Sequence, residues 1–193
     1  TYSFFGNKII STGEGGALLT NKKNIAVRSR ELRDHGMNHE KKYHHIDLGY
    51  NYRMTNMQAA IGLAQIEKLD QILSMRKEQM ELYYEELKNL KGISLRKFAD
   101  WCNPVHWLLT ITLDAEYDRN DLILFMQKNG VECRQMINPV HQAEHFKKVF
   151  KTHEFKNSKK ISNQSLHLPS STFLTKKEIK HITSAIKAYL KNH

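Results

Sequence analysis

The apolar positions of the chain change spacing three times, and each spacing predicts a different kind of element. Near the start, Phe4 and Phe5 precede a turn with three glycines in four positions, Gly13, Glu14, Gly15 and Gly16, and then a short apolar run at 17–20. That run is too short for a helix and predicts a buried strand. The glycines allow a tight turn and a close approach of other groups. Over 23–34, Ile25, Ser29 and Leu32 share one helical face, with Asn21 placed to cap the start and Gly36 to end the helix. The opening order is therefore strand, turn, strand, helix.

A second helical pattern starts at Thr55, which stands three residues before Gln58 in a capping-box arrangement. From Met57 and Ala60 through Leu69, Met80 and Leu87 to Leu90, apolar residues recur at helical spacing until Gly92. A helix over 56–91 would be on the order of 50 Å long, enough to run between two lobes, with room for a break near Asp70. Beyond Gly92 the elements become shorter. Residues 93–98 and 107–113 read as strands, 118–129 as a helix opened by Asp118 and closed by Gly130, and 131–135 as a strand. A last helix begins at the Thr175–Glu178 capping box and carries Ile179, Ile182, Ile186 and Leu190 on one stripe. Residues 136–171 hold two of the three prolines and read mostly as loop, with one short helix near 143–149. The organisation expected is a first part at 1–54, a long helix at 55–91 and a small α/β domain at 92–193.

Composition narrows the partners. The 193 residues carry 30 Lys and Arg against 20 Asp and Glu, a formal charge of +10 that favours an anionic partner. The excess is spread over isolated pairs such as Lys41–Lys42 and Lys176–Lys177 and does not alternate with aromatics, so a solvated basic surface is expected and no nucleic acid. The histidines have no HExxH-like spacing, and no metal is expected. Cys102 and Cys133 form no CxxC pair and read as reduced thiols. No apolar stretch approaches the roughly 18 residues of a membrane span, and the default location is the cytoplasm, with no membrane partner. The opening on Thr1, inside what reads as a folded strand and turn, leads us to expect a fragment.

The candidate chemistry centres on Lys8. An amine condenses with an aldehyde only in its neutral form, and a position between Phe4–Phe5 and a glycine turn suits a lysine whose charge must be disfavoured. Taken by itself, a lysine in a lysine-rich chain is most often a solvated surface group. Ser3 by itself reads as a strand hydroxyl, and the glycine turn as only a turn.

The ordered motifs say more. Ser3-Phe4-Phe5-Gly6-Asn7-Lys8, followed by Thr12-Gly13-Glu14-Gly15-Gly16, resembles the cofactor-lysine motif of the DegT/DnrJ/EryC1/StrS sugar aminotransferases. The likeness continues through Arg33-Asp34-His35-Gly36-Met37, through Gly49 to Asn56, and through Gln58-Ala59-Ala60-Ile61-Gly62. It then reaches Gly130-Val131-Glu132-Cys133-Arg134, Pro139-Val140-His141 and Leu168-Pro169-Ser170 in the expected order. Within that family the wording around His35 and Asn51 is most similar to the GDP-perosamine synthase branch.

The resemblance implies an α/β fold, the C-terminal part of a fold type I pyridoxal-phosphate (PLP) transferase, with 1–54 as the remaining part of its large PLP-binding domain. It implies PLP as cofactor, Lys8 as the residue that forms the Schiff base and moves protons, and Ser3 as a ligand of the cofactor phosphate. Asn51 would complete that phosphate site from the partner subunit of a homodimer. His35, Arg53 and His141 would lie on the substrate side. The implied reaction moves an amino group from glutamate to the C4 ketone of a nucleotide-linked 4-keto-6-deoxy sugar, for surface polysaccharide. The family's acidic partner of the pyridinium nitrogen and its ring-stacking aromatic precede the cofactor lysine, so little activity is expected of the 193 residues alone. The rival reading is a truncated, non-catalytic fragment or a dimerising interaction module.

Overall fold

The computed structural model describes residues 1–150 and 153–192. The chain divides into two compact units, Thr1–Gln71 and Ile72–His193.

In the first unit, strands β1 (Tyr2–Ser3) and β2 (Gly16–Ala17) pair antiparallel, with Ser3 opposite Gly16. Helix α1 follows at Lys23–Arg33 and helix α2 at Asn56–Ile66. Two expectations need correction here. The strand at 17–20 is shorter and lies at the surface, with Leu18 and Leu19 exposed. Lys22, not Asn21, occupies the N-cap of α1, and no side chain caps it. The Thr55 capping box of α2 is present: Gln58 N donates to Thr55 Oγ1 (3.2 Å) and Thr55 N to Gln58 Oε1 (2.9 Å). Among the described residues of this unit no large apolar side chain is buried.

The helix expected over 56–91 is two helices. After Ile66 the Lys68 amide bonds Gln65 O, three residues back instead of four. The ladder tightens there, and α3 (Leu69–Leu87) starts anew.

The second unit holds the core. Strands β3 (Ile93–Leu95), β4 (Leu109–Leu113), β5 (Arg134–Gln135) and β6 (Ser165–Leu168) form a wholly antiparallel sheet in the order β3-β4-β6-β5. Leu109, Ile111 and Leu113 alternate along β4 and join Leu166 and Leu168 of β6 on the apolar face. Helix α4 (Arg119–Lys128) adds Leu122 and Met126 to that core. Helix α7 (Lys176–Asn192) adds Ile179, Ile182, Ile186 and Tyr189, and α3 adds Met80, Tyr83 and Leu87. The opposite face of the sheet is polar. There Thr112 and Ser165 share a hydroxyl–hydroxyl bond of 2.8 Å, and Thr110 Oγ1 bonds His167 Nδ1 at 2.9 Å.

Strand ends and one whole strand differ from expectation. Pairing limits β4 to 109–113, while the carbonyls of His106 and Trp107 turn aside to accept from Arg76. β3 stops at Leu95, and β5 is confined to the two residues that β6 reaches. Residues 136–171 are not mostly loop. Besides a 3₁₀ turn (Val140–Gln142) and the short helix α5 (Glu144–Lys147), they contain α6 (Lys156–Gln164) and β6, the strand bonded to both β4 and β5.

Candidate active site

The hairpin at the start of the chain is built by a close backbone approach. A Cβ on Gly16 would lie 2.7 Å from the Tyr2 carbonyl oxygen, so only glycine lets β2 lie against β1 beside Ser3. The chain then turns, with Lys8 N donating to Phe5 O at 2.9 Å, and returns through Thr12 N to Phe4 O at 2.9 Å. Gln65 of α2 clasps the return, accepting from Ser11 N (3.0 Å) and donating to Ser11 O (2.6 Å). Ser3 and Lys8 thus lie on one short, locally tied loop, with Lys8 half-buried and Ser3 exposed.

A second cluster forms where the end of α1 crosses residues 47–53. His35 N donates to Tyr50 O, Tyr50 N to Leu32 O and Tyr52 N to Arg33 O, and Asp34 bridges Asn51. The crossing is tight: a Cβ on Gly36 would come 2.0 Å from Asp47 O, and one on Gly49 would come 1.9 Å from Gly36 N. His35 itself has φ 61°, a left-handed conformation uncommon outside glycine. Around this crossing the Asp34 carboxylate meets His35 Nδ1 at 3.2 Å and Arg53 Nη1 at 3.5 Å. The hydrogen bond from His35, with the positive charge of Arg53, holds the Asp34 carboxyl below the usual carboxylate range. His45 Nδ1 bonds the His35 carbonyl at 2.8 Å, and Arg28 pairs with Asp47 across the same crossing.

Five of the six candidate residues therefore fall in the first unit. Ser3 and Lys8 share the hairpin; His35, Asn51 and Arg53 gather around Asp34. His141 lies in the second unit, in the 3₁₀ turn, with its ring stacked on Phe155 at 4.3 Å between centroids. The sequence reading did not single out Asp34 or Gln65. Asp34 is adjacent to His35, but its contact with Arg53 spans 19 residues, and the Gln65–Ser11 clasp spans 54. Both cysteines are free; burial, then the neighbouring Glu132, pushes the Cys133 thiol up to about 12, which leaves no thiolate nucleophile there.

The family model of the DegT/DnrJ/EryC1/StrS aminotransferases matches residues 1–187. The chain belongs to that aminotransferase family. It is 35% identical over 191 residues to the GDP-perosamine synthase of Vibrio cholerae, covering 98% of this chain and 52% of that protein. It is also 35% identical over 193 residues to the GDP-perosamine synthase of Caulobacter vibrioides, again covering 98% and 52%. Among solved structures, the Helicobacter pylori aminotransferase PseC superposes with a TM-score of 0.91 at 21% identity, over 98% of this chain and 52% of that one. DesV of S. venezuelae, solved in complex with a ketimine intermediate, superposes with a TM-score of 0.87 at 26% identity, over 97% and 50%. The mixed α/β architecture and its fold type I class agree with these neighbours. The chain spans about half the length of the curated relatives it matches.

A PLP cofactor would need an amine for its aldehyde and donors for its phosphate, and the hairpin has groups of both kinds. Ser3 Oγ accepts only a long bond from Phe5 N (3.4 Å), which uses a lone pair and leaves the hydroxyl hydrogen to donate to an anion. Lys8 brings the amine on the same loop, five residues on. By the chemistry of its donors, the site fits the group.

Proposed function

We propose that the whole protein is a PLP-dependent aminotransferase that moves an amino group from glutamate to the C4 ketone of a nucleotide-linked 4-keto-6-deoxy sugar, as a GDP-perosamine synthase would. The observation that carries this reading is family membership across the chain combined with a hairpin that sets Ser3 and Lys8 on one loop. The likeness to two GDP-perosamine synthases favours a GDP-linked substrate.

When bound, the cofactor supplies an aldehyde for the donor's amino group and a ring that spreads the charge left on the donor carbon. Lys8 Nζ would hold the cofactor through its aldehyde. As a neutral amine the same nitrogen would serve as the base and acid that moves a proton from and to the donor carbon. Ser3 Oγ donates to the phosphate. Asn51, exposed on the crossing beside Asp34, would donate its side-chain amide to the phosphate held by a second copy, which makes the working unit of this reading a homodimer with shared sites. His35 and Arg53 would contact the substrate from the same crossing, and His141 is a further substrate residue of this reading.

The test is product formation. Given PLP, glutamate and a GDP-4-keto-6-deoxyhexose, the whole protein should make the 4-amino sugar, and Lys8→Arg should reduce the rate by at least about a thousandfold, because arginine keeps the charge but stays protonated. Amino-sugar formation at an unchanged rate in Lys8→Arg would contradict the assignment.

A further inference from the structure

We propose that Asp34 is a positioning residue of this site: its carboxylate sets the His35 imidazole and the Arg53 guanidinium as a pair that grips an oxyanionic group of a substrate. The inference rests on the substrate-side reading of His35 and Arg53. The group gripped is either the diphosphate of the nucleotide sugar or a carboxylate of the amino donor, since both offer the same oxygen acceptors to the same two donors.

The geometry points this way for three reasons. First, one carboxylate serves both partners. Asp34 Oδ1 faces His35 Nδ1 at 3.2 Å, and Arg53 Nη1 lies 3.5 Å from both carboxylate oxygens. A carboxylate only accepts, so His35 carries a proton on Nδ1 towards Asp34, and its Nε2 donates to an oxyanion in the form that carries a second proton, which the adjacent carboxylate supports. Arg53 engages Asp34 through Nη1 alone among its donors, and its side chain is 63% exposed, so the rest of the fork remains for an anion.

Second, the cluster is a poor device for stability. Exposed ion pairs of this kind contribute little to folding. Yet the backbone is driven into a left-handed turn at His35 and a glycine-on-glycine crossing at Gly36 and Gly49 to bring the pair together. Backbone bonds across the crossing hold the unit, but the left-handed His35 is a cost that its exposed ion pair does little to offset, and such outliers gather at functional sites.

Third, the surroundings are basic and fixed. His45 bonds the His35 carbonyl, Arg28 holds Asp47, and the Asn38 side-chain oxygen accepts from the amides of Glu40 and Lys41. The segment that approaches the crossing is thus braced at several points, with Lys41 and Lys42 on it.

Net charge makes the test sharp. Asp34→Ala adds one unit of positive charge beside Arg53, so a site working by charge alone would bind anions more tightly, whereas loss of positioning weakens it. The whole protein is titrated calorimetrically with inorganic pyrophosphate and, separately, with glutamate; the probe that binds in an Arg53-dependent manner identifies the source of the oxyanion. We expect Asp34→Ala to bind that probe at least about five-fold more weakly, Asp34→Glu to recover part of the loss, and thermal unfolding to be unchanged. Nitrogen NMR of the His35 ring supplies a readout that a structural role would not move: with the probe bound, both ring nitrogens should carry protons in the native protein, and that state should be lost in Asp34→Ala. If Asp34→Ala binds as tightly as the native chain or more so while Arg53→Ala fails to bind, positioning by Asp34 is overturned and the substrate-side reading survives. If Arg53→Ala binds both probes as the native chain does, or the native chain binds neither, the underlying reading fails and takes the inference with it.

Discussion

His167 and Thr110 face each other across the two central strands, and their bond shows how a polar residue can be buried at a cost that depends on pH. The His167 side chain is buried on the polar face of the sheet, Nδ1 bonded to Thr110 Oγ1 and Nε2 without a hydrogen-bond partner. Burial, then the nearby charge of Arg134, lowers its pKa from the ordinary 6.5. The unfolded chain therefore binds the proton at a higher pH than the folded chain does. Stability should be full above about pH 6.5 and should fall as the pH drops from there towards the lower folded value. Urea denaturation at pH 7.5 and 5.5 checks this: the native chain should lose more stability between the two than His167→Gln, and an equal loss in both would show that His167 does not titrate in that window. At this scale the sequence was least informative. Lys8, Ser3 and Asn51 stood out only through ordered motifs, because single residues of these types have bland roles in most folds. Asp34 was hidden because its partner Arg53 lies across a crossing that only the folded backbone creates.

Elements were legible where their signals are local. Thr55 with Gln58, Asp118, and Thr175 with Glu178 each form the caps their spacing implies, because a capping side chain reaches only three residues along its own chain. β6 was missed for the opposite reason. Ser165-Leu166-His167-Leu168 is four residues long and polar at alternate positions, yet buried throughout, with Ser165 Oγ and His167 Nδ1 each bonded to a threonine of β4. No local rule announces a strand whose polar face is covered. The caps also give a prediction at this scale. Thr55→Ala removes the bond that Gln58 N donates to Thr55 Oγ1 and keeps the one from the Thr55 amide to Gln58 Oε1, a loss of about 1 kcal/mol that should speed amide exchange in the first turn of α2 by roughly five-fold. Unchanged exchange at residues 57–60 would mean that the box does not hold the turn.

For the molecule as a whole, burial and chemistry are divided between the units. Every buried apolar residue of the core cluster lies between Met80 and Tyr189, in the second unit, whereas the candidate cofactor groups sit on the first. The first unit is held by backbone crossings, glycine contacts and side-chain clasps such as Gln65 on Ser11, and it leaves Met57, Ile61 and Leu63 of α2 exposed. The functional reading depends on what that thinly buried unit does with one amine. Borohydride reduction of the protein after incubation with PLP, followed by mass mapping of its peptides, addresses it most directly. The reduced cofactor should be found on the peptide that contains Lys8 and be absent in Lys8→Ala; attachment to a different lysine, or labelling that persists in Lys8→Ala, would contradict the reading.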